Sequence, residues 1–420
     1  MPVLMSATRM LRRVTAGSLS NAIATGVLLF GLLAGLLAGL LVGRAAPLSA
    51  QSVVTDAVQR STQHDFRLVT VADGLMSPWS IAFLPGGDIL VTERGGNLRI
   101  VRKGKLLAES VPGLPSVRVA GQGGLLDVVP HPQFATNKLI YLSYSKPSAD
   151  GTQGATAVIR ARFENDRLND VQEIFEAKNW STGRGHYGSR LAFDRNGFLF
   201  ITLGDRQVPP TGDLEHHPAQ DLATHHGKTI RLKDDGSVPA DNPFVGREGA
   251  LPQIWSYGHR NMQGIAIHPE TNEVWTIEHG PQGGDELNVD DAGKNYGWPV
   301  IGFGVNYVSG LAIHSGTSRT GMEQPINVWV PSIAVSSLTI YTGDKFPAWR
   351  GNFFVSGMVG QRLVRLTMDG HTVKNVENLV QDMGRIRIVR QSPDGYLYLA
   401  FEDASGGPSK LVRMEPVKRS

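Results

Sequence analysis

The chain has no cysteine in 420 residues. That excludes a disulfide scaffold, a thiolate zinc site and a cysteine nucleophile. Charge is sparse as well. Asp, Glu, Lys and Arg make up 19% of the residues against 41% hydrophobic, which is a globular balance and not a disordered one. Long amphipathic helical patterns are nearly absent, and there is no Walker A, GxSxG or HExxH motif. The first 50 residues contain no acid and no lysine, but four arginines: Arg9, Arg12, Arg13 and Arg44. The whole chain carries +3, and taking those four away leaves −1. The body therefore lacks the broad basic surface that binding to nucleic acid needs.

What the N-terminus does have is an uncharged run, AIATGVLLFGLLAGLLAGLLVG, at residues 22–43. As a helix it would be roughly 33 Å long, enough to cross the hydrocarbon core. Arg9, Arg12 and Arg13 stand before it, as a cytoplasmic end requires. The run is long for a signal core, so a cleaved signal peptide and an uncleaved anchor both stay open. A buried glycine-rich core helix is the third reading. The expectation is a hydrophobic helix within residues 1–50, a linker at 51–64 and an exported body, with membrane anchoring through 22–43 left open.

From about residue 61 the pattern changes to short alternating runs broken by Gly, Pro, Asn and Asp. WSIAFLPGGDILVTERGGNLRIVRKG (79–104), SRLAFDRNGFLFITLGD (189–205), QGIAIHPETNEVWTIEHG (263–280) and RIVRQSPDGYLYLAFED (387–403) each read as strand, tight turn, strand. LLDVVPHPQFATNKLIYLSYS (125–145) and WRGNFFVSGMVGQRLVRLTMDG (349–370) are weaker copies. Six copies without a dividing linker predict an all-β propeller over residues 65–416, with a pair of β-sandwiches as the rival. A ligand site is then expected among the loops at one end of the channel.

Six stretches hold residue types that carry chemistry. GQGGLLD (121–127) resembles a nucleotide loop, but a strand follows it and not a helix, so that reading fails. GRGHYGSRLAFDRNGFLFITLGD places His186 before a strand pair and Asp205 after it, so a hairpin returns both to one rim. A carboxylate that fixes the tautomer of a histidine makes a general base; a structural loop histidine is the bland alternative. WSYGHRNMQG (255–264) offers Arg260 and Asn261, which suit a carboxylate and a carbonyl, or else form a surface turn. RIR puts Arg385 and Arg387 on one strand face, where an anion would relieve their repulsion; an exposed face is the default. EHGPQGGDELNVDDAGKNYGWP (278–299) is acidic and glycine-rich. Asp285 and Glu286, with the carbonyls of Gly280, Pro281 and Tyr296, suggest an oxygen cage for Ca²⁺, against a solvated acidic loop. The four histidines of EHHPAQDLATHHG, at 216, 217, 225 and 226, invite a metal site, but adjacent loop histidines rarely converge.

Taken together, WSYGHRNMQG, EHGPQGGDELN, KNYGWP and RIR followed by SPDGYLY resemble the PQQ-dependent aldose sugar dehydrogenases, the glucose/sorbosone dehydrogenase family. The similarity runs in order from about residue 66 to 415. It implies a six-bladed β-propeller holding pyrroloquinoline quinone (PQQ) and Ca²⁺ at the channel mouth. By this resemblance His186 is the general base and Asp205 its orienting carboxylate. Arg260, Asn261, Arg385 and Arg387 hold the cofactor, Arg260 also standing at the catalytic centre, and Gln122 lies near cofactor and sugar. The carbonyls of Gly280 and Pro281 hold the catalytic Ca²⁺, while Glu286 and the Tyr296 carbonyl belong to a second, structural Ca²⁺. One departure is Val359, which stands where glucose-oxidising members carry a cofactor-contacting lysine.

The expected activity is oxidation of aldose sugars at C1 to lactones, by hydride transfer to PQQ with Ca²⁺ as Lewis acid. The electron acceptor has no signature in the sequence. The rivals are a non-catalytic propeller that binds a glycan or protein partner, and a Ca²⁺-dependent lactonase. The lactonase needs several acidic side chains on one metal.

Overall fold

A computed structural model describes residues 57–418. The expected N-terminal helix, and the signal or anchor at 22–43, lie outside them. Among the described residues no helix is long and apolar enough to cross a membrane.

The described chain folds into six four-stranded sheets, joined antiparallel throughout. Each sheet is a blade. The innermost strands, in order of blades I to VI, are Pro78–Phe83, Leu125–Pro130, Leu191–Phe193, Met262–Ile267, Val335–Ile340 and Arg385–Gln391. These six strands neighbour one another in a closed ring around the axis. Each of the six sequence copies falls in one blade. Four are the two inner strands of a blade, 79–104 takes in the first three strands of blade I, and 349–370 spans the second and third strands of blade V. There the innermost strand, VSSLTI, has too little alternation to show itself.

Strand Asp65–Met76 closes the ring. It pairs with Pro408–Val417, the last strand of the chain, as the outer strand of blade VI, with Phe66 opposite Pro416. The two ends of the fold are thus hydrogen-bonded together. Residues 57–64, the described part of the expected linker, are tied to blade V. Thr62 bonds Glu377 through N–H and hydroxyl, and the His64 ring packs edge-on against Phe346 and Trp349.

The core lies between the blades. Leu90, Leu98 and Ile100 of blade I meet Leu142, Ile159 and Phe163 of blade II, and similar clusters fill the remaining interfaces. A polar feature recurs beside them. In blades I, II and III the second strand carries one buried hydroxyl that reaches the inner strand of the next blade or the residues just before it. Thr92 donates to the Leu126 carbonyl at 2.5 Å, Ser143 to Ser189 at 2.6 Å and Thr202 to Met262 at 3.1 Å. A buried hydroxyl without a partner is costly, so these three bonds help fix how far those blades are rotated against their neighbours; Thr276 Oγ1, at the same position in blade IV, is buried without one.

Ring closure makes a specific prediction. Phe66 is fully buried among Trp349, Phe354 and Leu397. Phe66→Ala should destabilise the propeller by about 3–5 kcal/mol. Val376→Ala, at a half-exposed strand position, should change stability by less than about 0.5 kcal/mol. Urea denaturation of both variants measures the contrast.

Candidate active site

The inner strands do not keep strict alternation at the end where the functional loops gather. Pairing with the second strand shifts register between Pro78 and Ser80, Leu125 and Val128, Met262 and Gly264, Val335 and Ser337, and Ile386 and Ile388. A bulge of this kind re-aims the extra side chain. Trp79, Leu126, Gln263 and Arg387 sit at these bulges and line a cavity of about 380 Å³. Gln122, Asn261, His279 and Arg385 complete much of its wall. A second cavity of about 350 Å³ adjoins it and contains His186, Asp205, Arg260, Pro281 and Trp298. Gln122 and His279 line both. A third, small cavity holds Gly280, Glu286 and Tyr296, and shares Arg260 and Pro281 with the second. The residues that the resemblance assigns to base, cofactor and metal thus all line one connected system, whereas Asp285 and the histidines of 216–226 line none of these cavities.

His186 and Asp205 are joined as the hairpin argument requires. Nδ1 of His186 is 2.6 Å from Oδ1 of Asp205, and Trp298 Nε1 donates to Oδ2 at 2.8 Å. With Nδ1 engaged, Nε2 is the nitrogen left for chemistry. His186 has φ 50, an uncommon backbone state for a residue with a side chain. Gln122 Oε1 accepts from its N–H at 2.8 Å, and Arg206 N–H donates to its carbonyl at 3.3 Å. Burial lowers the His186 pKa, Asp205 raises it and Arg260 lowers it again; the balance lies below the ordinary histidine value. Asp205 is also held low, because the His186 interactions outweigh the burial that would raise it.

The arginines converge. Arg385 lies beside Met358, with Sδ 3.9 Å from Nη2, and its Nε is buried without a partner. Arg387 differs from the expectation of a cation that awaits an anion, because Glu402 already pairs with it, Nε to Oε2 at 2.8 Å. Glu402 also sits 3.6 Å from Arg94, a cavity-lining arginine that the sequence reading missed. The first cavity thus has three guanidinium groups against one carboxylate. Arg260 donates to the carbonyls of His279 at 3.1 Å and Gly280 at 2.6 Å, with its Nε buried and unpartnered. Asn261 accepts from Gly188 N–H through Oδ1, but its Nδ2 is buried with no acceptor. Met358, and not Val359, lines the cavity; Val359 is 54% exposed. Neither residue is charged, and Met358 is the one that faces inward.

The acidic loop needs one correction. Asp285 is not free to ligate a metal. Its carboxylate accepts from the N–H groups of Gly280, Ile333 and Val335 and from the Ser332 hydroxyl. It is the organiser of the turn, because the unpaired N–H groups of a tight loop need a buried acceptor. Gly280 fits there only as glycine, since a Cβ would lie 2.3 Å from the carbonyl oxygens of both Gly283 and Gly284. Glu286 stands opposite Glu278 in adjacent strands, with the Asn288 amide between them. Burial and Glu278 push its carboxyl up to about 8. The histidines of 216–226 do not converge: they bond to Asp213, Val208, Lys178 and Thr224 respectively.

His279, Arg94, Glu402 and Trp298 were not singled out from sequence. His279 stood inside EHGP, and its value lies in position, as the one imidazole that lines all three cavities. Its Nε2 donates to the Val335 carbonyl at 2.6 Å, and burial lowers its pKa to about 4, so it is neutral at ordinary pH.

Comparison with known proteins identifies the family. A family model described as Glucose / Sorbosone dehydrogenase matches residues 75–413. Aldose sugar dehydrogenase YliI of Escherichia coli is 44% identical over 351 residues, 82% of this chain and 91% of that protein. The apo crystal structure of the soluble aldose sugar dehydrogenase from Escherichia coli matches with a TM-score of 0.78 at 40% identity, over 84% of this chain and 100% of that one. The PQQ-bound aldose sugar dehydrogenase of Streptomyces coelicolor matches with a TM-score of 0.68 at 26% identity, over 84% and 98%.

The His186 turn has no room to spare. A Cβ on Gly204 would lie 2.2 Å from the His186 carbonyl oxygen, whereas one on Gly95 would meet nothing within 4 Å. Gly204→Ala should cost about 1–3 kcal/mol of stability, and Gly95→Ala less than about 0.5 kcal/mol. Denaturation midpoints of the two variants test this.

Proposed function

The chain belongs to the glucose/sorbosone dehydrogenase family and is an oxidoreductase, and from that premise we propose that it oxidises aldose sugars at C1 to lactones with PQQ and Ca²⁺ as cofactors. The observation that carries this is the set of unmatched donors. Arg260 Nε, Asn261 Nδ2 and Arg385 Nε are buried without acceptors around connected cavities. Buried donors without partners are costly, and a planar tricarboxylate supplies the acceptors they lack. When bound, PQQ supplies a two-electron acceptor for the hydride that leaves C1, and Ca²⁺ supplies a Lewis acid.

The metal side fits by donor chemistry. Gly280 and Pro281 offer backbone carbonyls beside Arg260, and Glu286 and the Tyr296 carbonyl lie one small cavity away. These are hard oxygen donors suited to Ca²⁺. Burial and the facing Glu278 hold the Glu286 carboxyl in its protonated form near neutrality, and a divalent cation beside the pair would favour its ionised form.

The chain's own residues do the rest. His186 Nε2 takes the proton of the C1 hydroxyl. Asp205 keeps Nδ1 protonated, so the lone pair stays on Nε2, and it stabilises the imidazolium that forms. Gln122 spends its Oε1 on the His186 N–H and leaves its amide hydrogens for cofactor or sugar. Tyr307, 63% exposed, with Val208, Pro209 and Pro210, lines the outer wall of the His186 cavity, where the apolar face of a sugar ring would rest. Export of the body, and its possible anchoring, belong to the same proposal and rest on residues 22–43.

Titration of apo-protein with PQQ, with and without Ca²⁺, followed by absorbance, should show saturable uptake, and dye reduction should then depend on an added aldose. His186→Ala should keep uptake and lose about 10²- to 10⁴-fold in turnover. Unchanged turnover would remove His186 as the base.

The pH profile follows from the direction of the shift. The base must be neutral to accept a proton, and the folded pKa lies below the ordinary value of about 6.5. Activity should stay level through neutrality and fall only below about pH 6.5. Asp205→Asn removes the interaction that raises the pKa, so the acid limb should move further down while maximal turnover drops. An acid limb centred above 6.5 in the wild type contradicts the assignment.

A further inference from the structure

Beneath the first cavity, one side chain reaches all six blades. Arg190 immediately precedes the inner strand of blade III and is 2% exposed. Its Nε donates to the Gln263 carbonyl of blade IV at 2.7 Å. Its Nη2 donates to the Ser336 carbonyl of blade V at 2.6 Å and reaches the Arg387 carbonyl of blade VI at 3.5 Å. Nη1 lies 3.7 Å from Asp127 of blade II, and the guanidinium carbon stands 3.9 Å from the ring of Trp79 in blade I. Trp79, Asp127, Gln263, Ser336 and Arg387 all stand within the register shifts that open the inner strands.

Arg190 also divides the channel. Asp127, its ionic partner, accepts from Ser80 Oγ at 2.5 Å, Leu191 N–H at 2.9 Å and Arg390 Nη2 at 3.0 Å. Arg390 in turn lines a separate cavity of about 300 Å³, with Ile81, Val128 and Pro393, at the far end of the inner strands. The Arg190–Asp127–Arg390 layer therefore lies between that cavity and the one proposed for the cofactor.

We propose that Arg190 is a positioning residue for the cofactor: it seals the channel and holds the bulges that aim Trp79, Gln263 and Arg387 into the cavity. The inference rests on the reading of that cavity as the quinone site. Arg190 would touch neither cofactor nor sugar. It acts through backbone carbonyls, where a planar guanidinium with several fixed donors has no substitute in a single ammonium.

The test uses the full chain and two variants, Arg190→Lys and Arg190→Met. The first keeps the charge towards Asp127 but lacks the fork; the second loses both. The dissociation constant for PQQ in the presence of Ca²⁺ should rise about tenfold or more in each folded variant, the scale of one lost charged hydrogen bond. In apo-protein, peptides covering Asp127, Gln263, Ser336 and Arg387 should exchange amide hydrogen faster in both variants, while outer strands exchange as in the wild type. A merely structural role would lower the denaturation midpoint and leave the dissociation constant of the folded fraction unchanged. Wild-type affinity together with wild-type exchange in a folded variant overturns the proposal. If the wild type takes up no PQQ, the functional reading fails by itself, and exchange at the four bulges still decides the role of Arg190. If neither variant folds, Arg190 is a stability element and the positioning claim is rejected.

Discussion

A ring of six sheets leaves a channel on its axis, and whatever stands there sits inside a wall of low polarisability. Charge in such a place is costly unless it is paired or hydrogen-bonded. This protein puts a complete ionic layer across the middle, with Asp127 between Arg190 and Arg390. The layer is satisfied within itself, apart from Nη1 of Arg190 and Nε of Arg390. Immediately above it the balance changes, and cationic donors outnumber acceptors. A charged channel can be stable and still be a binding site only if saturation and deficit are kept in separate layers. The bulges set the boundary between them.

The deficit is itself divided. Around the first cavity stand Arg94, Arg385 and Arg387 against Glu402. Around the third, carboxylates gather: Glu278 and Glu286 face each other, and Asp290 behind them is raised by burial, with one oxygen unpartnered. Arg260 lies at the meeting point. Its N–H bonds Glu278, its Nη1 reaches two carbonyls of the acidic turn, and its side chain lines the second cavity. An anionic cofactor on one side and a divalent cation on the other would each cancel the local surplus. Neither alone would balance the whole. This is why the two cofactors are proposed together.

Much of this was legible in the sequence, and the reasons are specific. Turns rich in Gly, Pro, Asn and Asp between alternating runs marked the hairpins, most clearly Asn196-Gly197 and Asp394-Gly395, whose glycines take the positive φ such a turn needs. The His186–Asp205 pair was legible because a short hairpin fixes where its ends meet. A second repeat went unread: LVTE, YLSY, FITL, VWTI and FVSG place Thr92, Ser143, Thr202, Thr276 and Ser356 at one position of the second strand. YLAF of blade VI has Ala400 there instead. Arg190 could not be seen. Nothing local distinguishes an arginine that spans a channel from one at a strand end, since its partners are backbone carbonyls of three other blades. Asp285 was misassigned for a related reason. A carboxylate in a glycine-rich loop serves a metal or the loop's own N–H groups, and only the course of residues 332–335 decides between them.

The proposed base presents the sharpest electrostatic problem in the molecule. To serve as that base, His186 has to be neutral at rest and then accept a proton in a site whose nearby charges, Arg260 and Arg206, oppose it. Burial opposes it too. Asp205 is the one contribution in its favour, so the carboxylate has to be both ionised and fixed. Its ionisation is secured by the His186 contact and the Gln207 N–H against full burial. Its orientation is secured by Trp298, whose indole donates to the oxygen that His186 does not use. Trp298 also lies 5.2 Å from the guanidinium of Arg260, which ties the position of the opposing cation to that of the supporting anion. Basicity at Nε2 is therefore a difference between two large terms whose geometry is set by one indole. A small displacement of Trp298 would change both contributions together, so under the proposed mechanism the indole tunes the base without any contact to the proton.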